Sequence, residues 1–250
     1  MPGPKYDWKR YWVPLNQNPT MRDGYFVEPS TSLEWLLQTS NGVRLNDLKH
    51  VPCLILLGGV GMGKSTVVRD EAEELSRTLE GQEHQVIYHD LKRLSETRIM
   101  KQVFEDPKLL GWKRGEYAIT VFLDSLDECW RRIEELESVL MGSFIDCLRQ
   151  KPPPFNLRLT CRSAEWRGSV GTKLMEMFGG QDKVQMYTLA PLSAENVRTA
   201  VIASDQDGDA FLARVREIGV QPMAARPITF NMLLNIYLQG GKLPNSRVEI

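Results

Sequence analysis

The sequence has little cysteine and little histidine: four cysteines (Cys53, Cys129, Cys147 and Cys161) and three histidines in 250 residues. No two cysteines form a Cys-x-x-Cys pair, so neither a zinc site nor a disulfide framework is indicated. Cys53 and Cys161 sit in apolar, strand-like runs, where they read as small buried hydrophobes. The chain also lacks an excess of charge of either sign. Lys and Arg total 31 against 32 Asp and Glu, a net charge of −1, which argues against a global basic field for nucleic acid or an anionic membrane. No apolar run approaches the 18 or so residues of a membrane span. The first ten residues are polar and aromatic, without the apolar segment of a secretory signal. A reducing cytoplasm is the expected location.

What is present is an ordinary globular composition, 42% hydrophobic and 25% charged, long enough for one large α/β domain and a smaller appendage. Residues 1–50 read as an irregular arm rich in Pro, Asn and aromatics (Tyr6, Trp8, Tyr11, Trp12, Tyr25, Phe26). Within it, Thr31-Ser32-Leu33-Glu34 matches a capping box that opens a short helix with Trp35. From 51 the pattern alternates. Strands are predicted over 51–57, 85–88, 118–123, 157–161 and 184–189, and helices over 64–79, 93–104, 130–149 and 171–178, with Lys151-Pro152-Pro153-Pro154 as a break. This predicts an α/β fold with a doubly wound, mainly parallel, five-stranded sheet over 51–190. After Pro191 only helices are predicted (193–203, 209–218, 228–238), so 191–250 is read as a small C-terminal helical lid.

Between the first strand and the first helix stands Gly58-Gly59-Val60-Gly61-Met62-Gly63-Lys64-Ser65, followed by Thr66. It fits G-x-x-x-x-G-K-[ST] in the strand–loop–helix context that the chemistry needs. The glycines let backbone N–H groups curl around phosphate oxygens, and the helix aims its positive end at them. Lys64 is the ligand for the β- and γ-phosphates, and the Ser65 hydroxyl is a Mg²⁺ ligand. The cofactors read from the loop are a nucleoside triphosphate or diphosphate and Mg²⁺.

The third strand ends in Asp124-Ser125-Leu126-Asp127-Glu128. Asp124, at its carboxyl end, is the candidate Walker B aspartate that holds Mg²⁺ through water. Asp127 or Glu128 is the candidate general base for the attacking water. The fourth strand ends in Thr160-Cys161-Arg162, and in P-loop ATPases with such an acid it lies between the other two strands. Arg162 is therefore the candidate γ-phosphate sensor, with a surface pair to Glu165 as the plainer alternative.

These segments resemble the NACHT group of STAND NTPases. Asp124-Ser125-Leu126-Asp127-Glu128 is similar to that group's D-G-x-D-E, with Ser125 in place of Gly. Leu159-Thr160-Cys161-Arg162-Ser163 resembles its T-S-R segment, and Leu189-Ala190-Pro191-Leu192-Ser193-Ala194-Glu195 its L-x-P-L-S-x-E. Arg226-Pro227-Ile228 resembles the region whose proline touches adenine. The resemblance covers about 51–240. It implies ATP/ADP as the nucleotide, slow hydrolysis by Lys64, Asp127, Glu128 and Arg162, and a signalling switch that forms a homo-oligomer when an unknown protein trigger acts. Bacterial relatives act in antiviral defence. An arginine from a neighbouring subunit is also implied, with Arg131, Arg132 and Arg167 as donors. Because the family continues into further domains, the chain is expected to be a fragment or a minimal version. The absence of an N-K-x-D stretch agrees with adenine over guanine. Tyr25 or Phe26 is a candidate wall for the base, with packing on the sheet edge as the plainer reading. The alternatives are an AAA-like ATPase acting on nucleic acid, against which the near-zero charge weighs, a scaffold without turnover, and a metabolic kinase.

Overall fold

The structure is a computed structural model that describes residue 6 and residues 8–29, 40–92, 94–130, 142–145, 153–240 and 243. The capping box at Thr31, most of the helix expected over 130–149, Arg131, Arg132, Cys147 and Lys151-Pro152 lie outside the described residues. In chain order the elements are β1 (Trp12–Pro14), β2 (Met21–Arg22), β3 (Tyr25–Phe26), β4 (Cys53–Gly58), α1 (Lys64–Thr78), β5 (His84–Asp90), α2 (Glu96–Ile99), α3 (Pro107–Lys113), β6 (Ala118–Asp124), α4 (Leu126–Trp130), β7 (Phe155–Arg162), α5 (Gly168–Phe178), β8 (Val184–Leu189), α6 (Ala194–Ile202), α7 (Gly208–Glu217), α8 (Gln221–Ala224) and α9 (Pro227–Gly240). They fall into two compact units. One comprises Met1–Arg44, Val60–Gly63 and Leu189–Ile250; the other comprises Leu45–Gly59 and Lys64–Thr188.

The second unit is built on parallel strands. All six residues of Cys-Leu-Ile-Leu-Leu-Gly in β4 are buried, as expected of a strand covered on both faces. Strand β4 pairs in parallel with β8 on one side and β7 on the other, and β6 joins β7 to β5. The fourth predicted strand, β7, thus lies between the strand that feeds the phosphate loop and the strand that carries the acids. The register sets Gly58 beside Arg162 and Asp90 beside Asp124, which lines up the carboxyl ends. One apolar cluster, including Ile55, Leu123, Leu126, Leu159 and Trp112, fills this unit.

Two expectations are corrected here. The sheet has six strands rather than five, in the order β1-β8-β4-β7-β6-β5. The sixth, β1, is three residues long and ends in Pro14, too short for periodicity to reveal; its neighbour Tyr11 accepts a backbone hydrogen bond from Ala190, 2.9 Å. The arm is also less irregular than expected: β2 and β3 form an antiparallel hairpin around Asp23-Gly24, both at positive φ (50° and 82°), as an Asp-Gly hairpin turn requires. Locally, the helix expected over 93–104 is split into α2 and a π-helical turn, Met100–Phe104. The helix expected from about Trp130 begins at Leu126, so Asp127 and Glu128 occupy its first turn, where carboxylates are favoured by the helix dipole.

In the first unit, the C-terminal helices enclose their own core of Val197, Val201, Phe211, Val215, Phe230 and Leu233, joined by Tyr25. Ser193 caps α6 in a reciprocal box with Asn196. Among the described residues no helix is long and apolar enough to cross a membrane.

Candidate functional site

The phosphate loop leaves β4 at Gly58 and enters α1 at Lys64. Gly61 and Gly63 adopt φ of +73° and +84°, backbone that a side chain would strain. A Cβ on Gly61 would also stand 2.4 Å from Ile228 Cγ2, and Ile228 N donates to Gly61 O over 3.3 Å. A Cβ on Gly63 would meet Pro227 Cγ at 3.7 Å, so Pro227 lies by the loop tip. Lys64 folds back on its own loop, with Nζ donating to Gly58 O (2.7 Å) and Gly59 O (3.1 Å). Burial pushes its ammonium below the ordinary pKa, against the upward pull of Asp127 and Asp124. Ser65 is half-buried and Thr66 exposed in the first turn of α1.

Asp124 is 1% exposed. Its Oδ1 accepts from the Thr160 hydroxyl and its Oδ2 from the Tyr88 hydroxyl, 3.1 Å. Burial first, then the Asp124 charge, pushes the Tyr88 phenol well up, so Tyr88 is a neutral donor. Arg69 lies over the Tyr88 ring at 5.5 Å. Thr160 Oγ also accepts from Ser125 N, 2.9 Å, holding the turn after β6, where Ser125 has a φ of +64°.

Asp127 is 3% exposed. Its Oδ1 accepts from Arg162 N, 3.0 Å, and Oδ2 stands 2.9 Å from Arg162 Nε. That second contact is an ion pair without a directed hydrogen bond, which leaves Oδ2 an open lone pair. Glu128 Oε1 accepts from Arg162 Nη2, 3.0 Å, and lies 3.6 Å from Lys92 Nζ. Arg162 therefore grips both candidate bases at once, and these are its ion-pair partners among the described residues. Burial pushes the thiol of the preceding residue, Cys161, up to about 12, so it stays protonated and inert.

The residues brought together in this unit are Lys64, Asp124, Asp127, Glu128 and Arg162; Ser65 follows Lys64 in the first turn of α1. Arg167 is exposed. Tyr25 and Phe26 are buried within the first unit: Tyr25 joins the helical core, and Phe26 clusters with Tyr11, Val13 and Ala190. They line a cleft of about 600 Å³ with Arg22, Glu28, Arg198 and Arg216. Sequence reasoning missed the roles of Tyr88 and Thr160. The two-residue alternation of β7, which puts Thr160 on the face of Arg162, was a usable signal; nothing local marks Tyr88.

The donor set fits Mg²⁺. A hydroxyl (Ser65) and a carboxylate (Asp124) are hard oxygen ligands, few in number, and this ion keeps several waters of its own. Among the described residues there is no denser group of three or more His, Cys, Asp or Glu that would suit another metal.

No protein-family model matches the chain, and no curated protein matches it. Among solved structures it is similar to domain III of the Thermotoga maritima replication initiation protein DnaA, 13% identical over 89% of this chain and 91% of that one, with a TM-score of 0.50. It is also similar to the Aeropyrum pernix ORC2 protein in ADPNP–ADP complexes (14% identical, 80% and 62% covered, TM-score 0.44) and to the Aeropyrum pernix ORC1 protein in complex with DNA (15%, 76% and 56%, 0.44). The chain spans less than two thirds of each of these two proteins. With the parallel sheet, the phosphate loop and the strand order above, the first likeness shows the fold: this is a P-loop NTPase fold.

Proposed function

We propose that the chain is an ATP-binding, slowly hydrolysing P-loop ATPase of NACHT type, whose output is a change of conformation and assembly. The observation that carries this reading is the convergence of Lys64, Asp124, Asp127, Glu128 and Arg162 at the carboxyl ends of β4, β6 and β7 and the helices that follow them. That end of an open parallel sheet is where ligands bind.

In this reading 51–190 is the NTPase domain, 191–250 its helical lid, and 1–50 an N-terminal arm. Gly58 to Thr66 cradle the phosphates, and Pro227 touches the base. Lys64 exchanges its two loop carbonyls for the β- and γ-phosphate oxygens. Ser65 and Asp124 would hold Mg²⁺, which would supply positive charge to offset that of the phosphate oxygens. Glu128 or Asp127 orients a water, whose oxygen bonds to the γ-phosphorus as the bond to the β–γ bridging oxygen breaks. The water proton passes to that carboxylate, and ADP and phosphate leave. Arg162 must let go of at least one acid to reach the γ-phosphoryl group. Its fork is thus a latch that keeps the resting site slow. The ATP state forms a homo-oligomer in response to a protein trigger, and antiviral defence is the setting in which such a switch would serve.

The likeness to DnaA domain III fits a second reading equally well: an AAA-like ATPase that acts on nucleic acid. One set of assays separates the two. Nucleotide is extracted from the purified protein, and hydrolysis is assayed for wild type, Lys64→Ala and Glu128→Gln, with and without single- and double-stranded DNA. Bound ADP or ATP with slow turnover, lost in Lys64→Ala and indifferent to DNA, supports the switch. DNA-stimulated turnover transfers support to the second reading. Tight binding without turnover makes the chain a nucleotide-binding scaffold, and no binding at all sinks the assignment of the loop.

A further inference from the structure

Arg10 belongs to no element of the proposed machinery, yet it is a largely buried cation with no counter-charge among the described residues. Its side chain is 8% exposed. Of its five N–H donors, only Nη2 has an acceptor among the described residues, the Ala190 carbonyl at 2.9 Å, and no carboxylate of those residues lies within ion-pair distance. The contrast with Arg158 is instructive. That guanidinium is buried to the same degree, but Nη1 and Nη2 donate to three carbonyls, Pro52 O, Leu157 O and Lys49 O. Arg158 is a satisfied structural group, whereas Arg10 gives only Nη2 to an acceptor among the described residues, and its Nε and Nη1 are not sealed from solvent, so they face space that a ligand can enter.

A cation so largely buried, with no carboxylate beside it among the described residues, is stabilised when an anion supplies acceptors. The neighbour of Arg10 points to that anion. A Cβ on Gly63 would stand 3.3 Å from Arg10 Nη1, so the guanidinium lies against the last glycine of the phosphate loop, a stretch whose backbone N–H groups suit anions. Burial lowers the guanidinium to about 10, still well above neutrality, so it remains charged. A planar fork of donors beside such a loop matches phosphate oxygens.

We propose that Arg10 is an anion ligand of the phosphate loop, donating to the polyphosphate of a nucleotide held by the loop tip Val60–Gly63, against which it lies. This rests on the reading of that loop as a nucleotide site. The N-terminal arm then supplies a binding group of its own, and the charge on Arg10 is compensated only when nucleotide is present.

The test compares wild type, Arg10→Met and Arg10→Lys in the full chain, by calorimetric titration with ATP, ADP, pyrophosphate and adenosine and by thermal unfolding with and without ATP. Met keeps the length of the stem and removes the charge. Arg10→Met is expected to lose about 10- to 100-fold in affinity for ATP, ADP and pyrophosphate, to bind adenosine within about twofold of wild type, and to be as stable as wild type, or more so, without nucleotide. Its ATP-induced rise in Tm shrinks accordingly. Arg10→Lys, which keeps the charge and loses the fork, falls between the two and carries the comparison if the Met variant does not fold. Undiminished ATP affinity in a variant that is less stable without nucleotide would make Arg10 structural and overturn the proposal, while the loop reading stands. An equal loss for adenosine overturns it too, because the guanidinium would then serve the base. If wild type binds neither ATP nor pyrophosphate, the loop reading itself fails, and the proposal with it.

Discussion

Arg162 holds both oxygens of Asp127: its backbone N–H donates to Oδ1 over 3.0 Å, and its Nε stands 2.9 Å from Oδ2. The same guanidinium reaches Glu128 through Nη2. The two legs differ in weight. Asp127 is 3% exposed, so its charge has little water to fall back on. The Glu128 and Arg162 side chains are 24% and 29% exposed, and a pair that water can reach is worth at most about 1 kcal/mol.

Arg162→Gln is therefore expected to destabilise the ligand-free protein by about 3 kcal/mol, because it strands a buried carboxylate. In urea-melt double-mutant cycles, most of this coupling should appear with Asp127→Asn and less than about 1 kcal/mol with Glu128→Gln. Equal coupling to both acids would contradict the assignment of the weight to Asp127. In single-turnover assays Arg162→Gln should also slow ATP hydrolysis by about 100-fold or more, as removal of a positioned charge-stabilising group does.

Thr160 serves two masters, donating to Asp124 Oδ1 and accepting from Ser125 N. Thr160→Val has the right shape but neither function, and it orphans one acceptor and one donor. A loss of about 2–4 kcal/mol follows, against about 1 kcal/mol or less for Thr160→Ser, which keeps the hydroxyl. Equilibrium unfolding of the two variants decides it; similar losses for Val and Ser would mean that the hydroxyl carries no weight.

Ser125 sits at a φ of +64°, left-handed backbone that costs a residue with a Cβ about 1 kcal/mol. Ser125→Gly removes that strain and gives back part of the gain through the freer unfolded chain. The net expectation is a gain of about 0.5–1 kcal/mol, or roughly 1–4 °C in Tm, while Ser125→Val should lose more than 1 kcal/mol. A drop in Tm for the glycine variant would show that the Ser125 side chain contributes something beyond the turn.

His84 and His89 both titrate below their ordinary value of about 6.5, chiefly through burial. Arg158 lowers His84 further, and Asp106 offsets part of the effect at His89. His84 Nε2 lies 2.9 Å from Thr120 Oγ1. Between the folded and unfolded values, the unfolded chain binds more protons, so stability rises with pH in that window. The contribution is complete above about pH 7 and is lost as pH falls below about 6.5 through the folded values. Urea midpoints should decline over that range in wild type and decline less in His84→Gln and His89→Gln. Parallel curves for all three proteins would remove the histidines from the account.

Much of this molecule is written locally. Gly58 to Ser65 between an apolar run and a charged helix specify a phosphate loop, because glycine freedom, strand burial and helix periodicity act over a few residues. The alternation of β4, α1, β5, β6, β7 and β8 was legible for the same reason, and a parallel sheet follows from it. The short strands of the arm were not, because three residues carry no period, although Asp23-Gly24 was a turn signal that could have been read. What only the tertiary structure decided is pairing. Arg162 meets Asp127 and Glu128 across 35 and 34 residues, Tyr88 meets Asp124 across 36, and Arg10 meets Ala190 across 180. No sequence window contains both partners of any such pair. Strand order and register bring them together, and burial then decides which of their charges and donors must be answered.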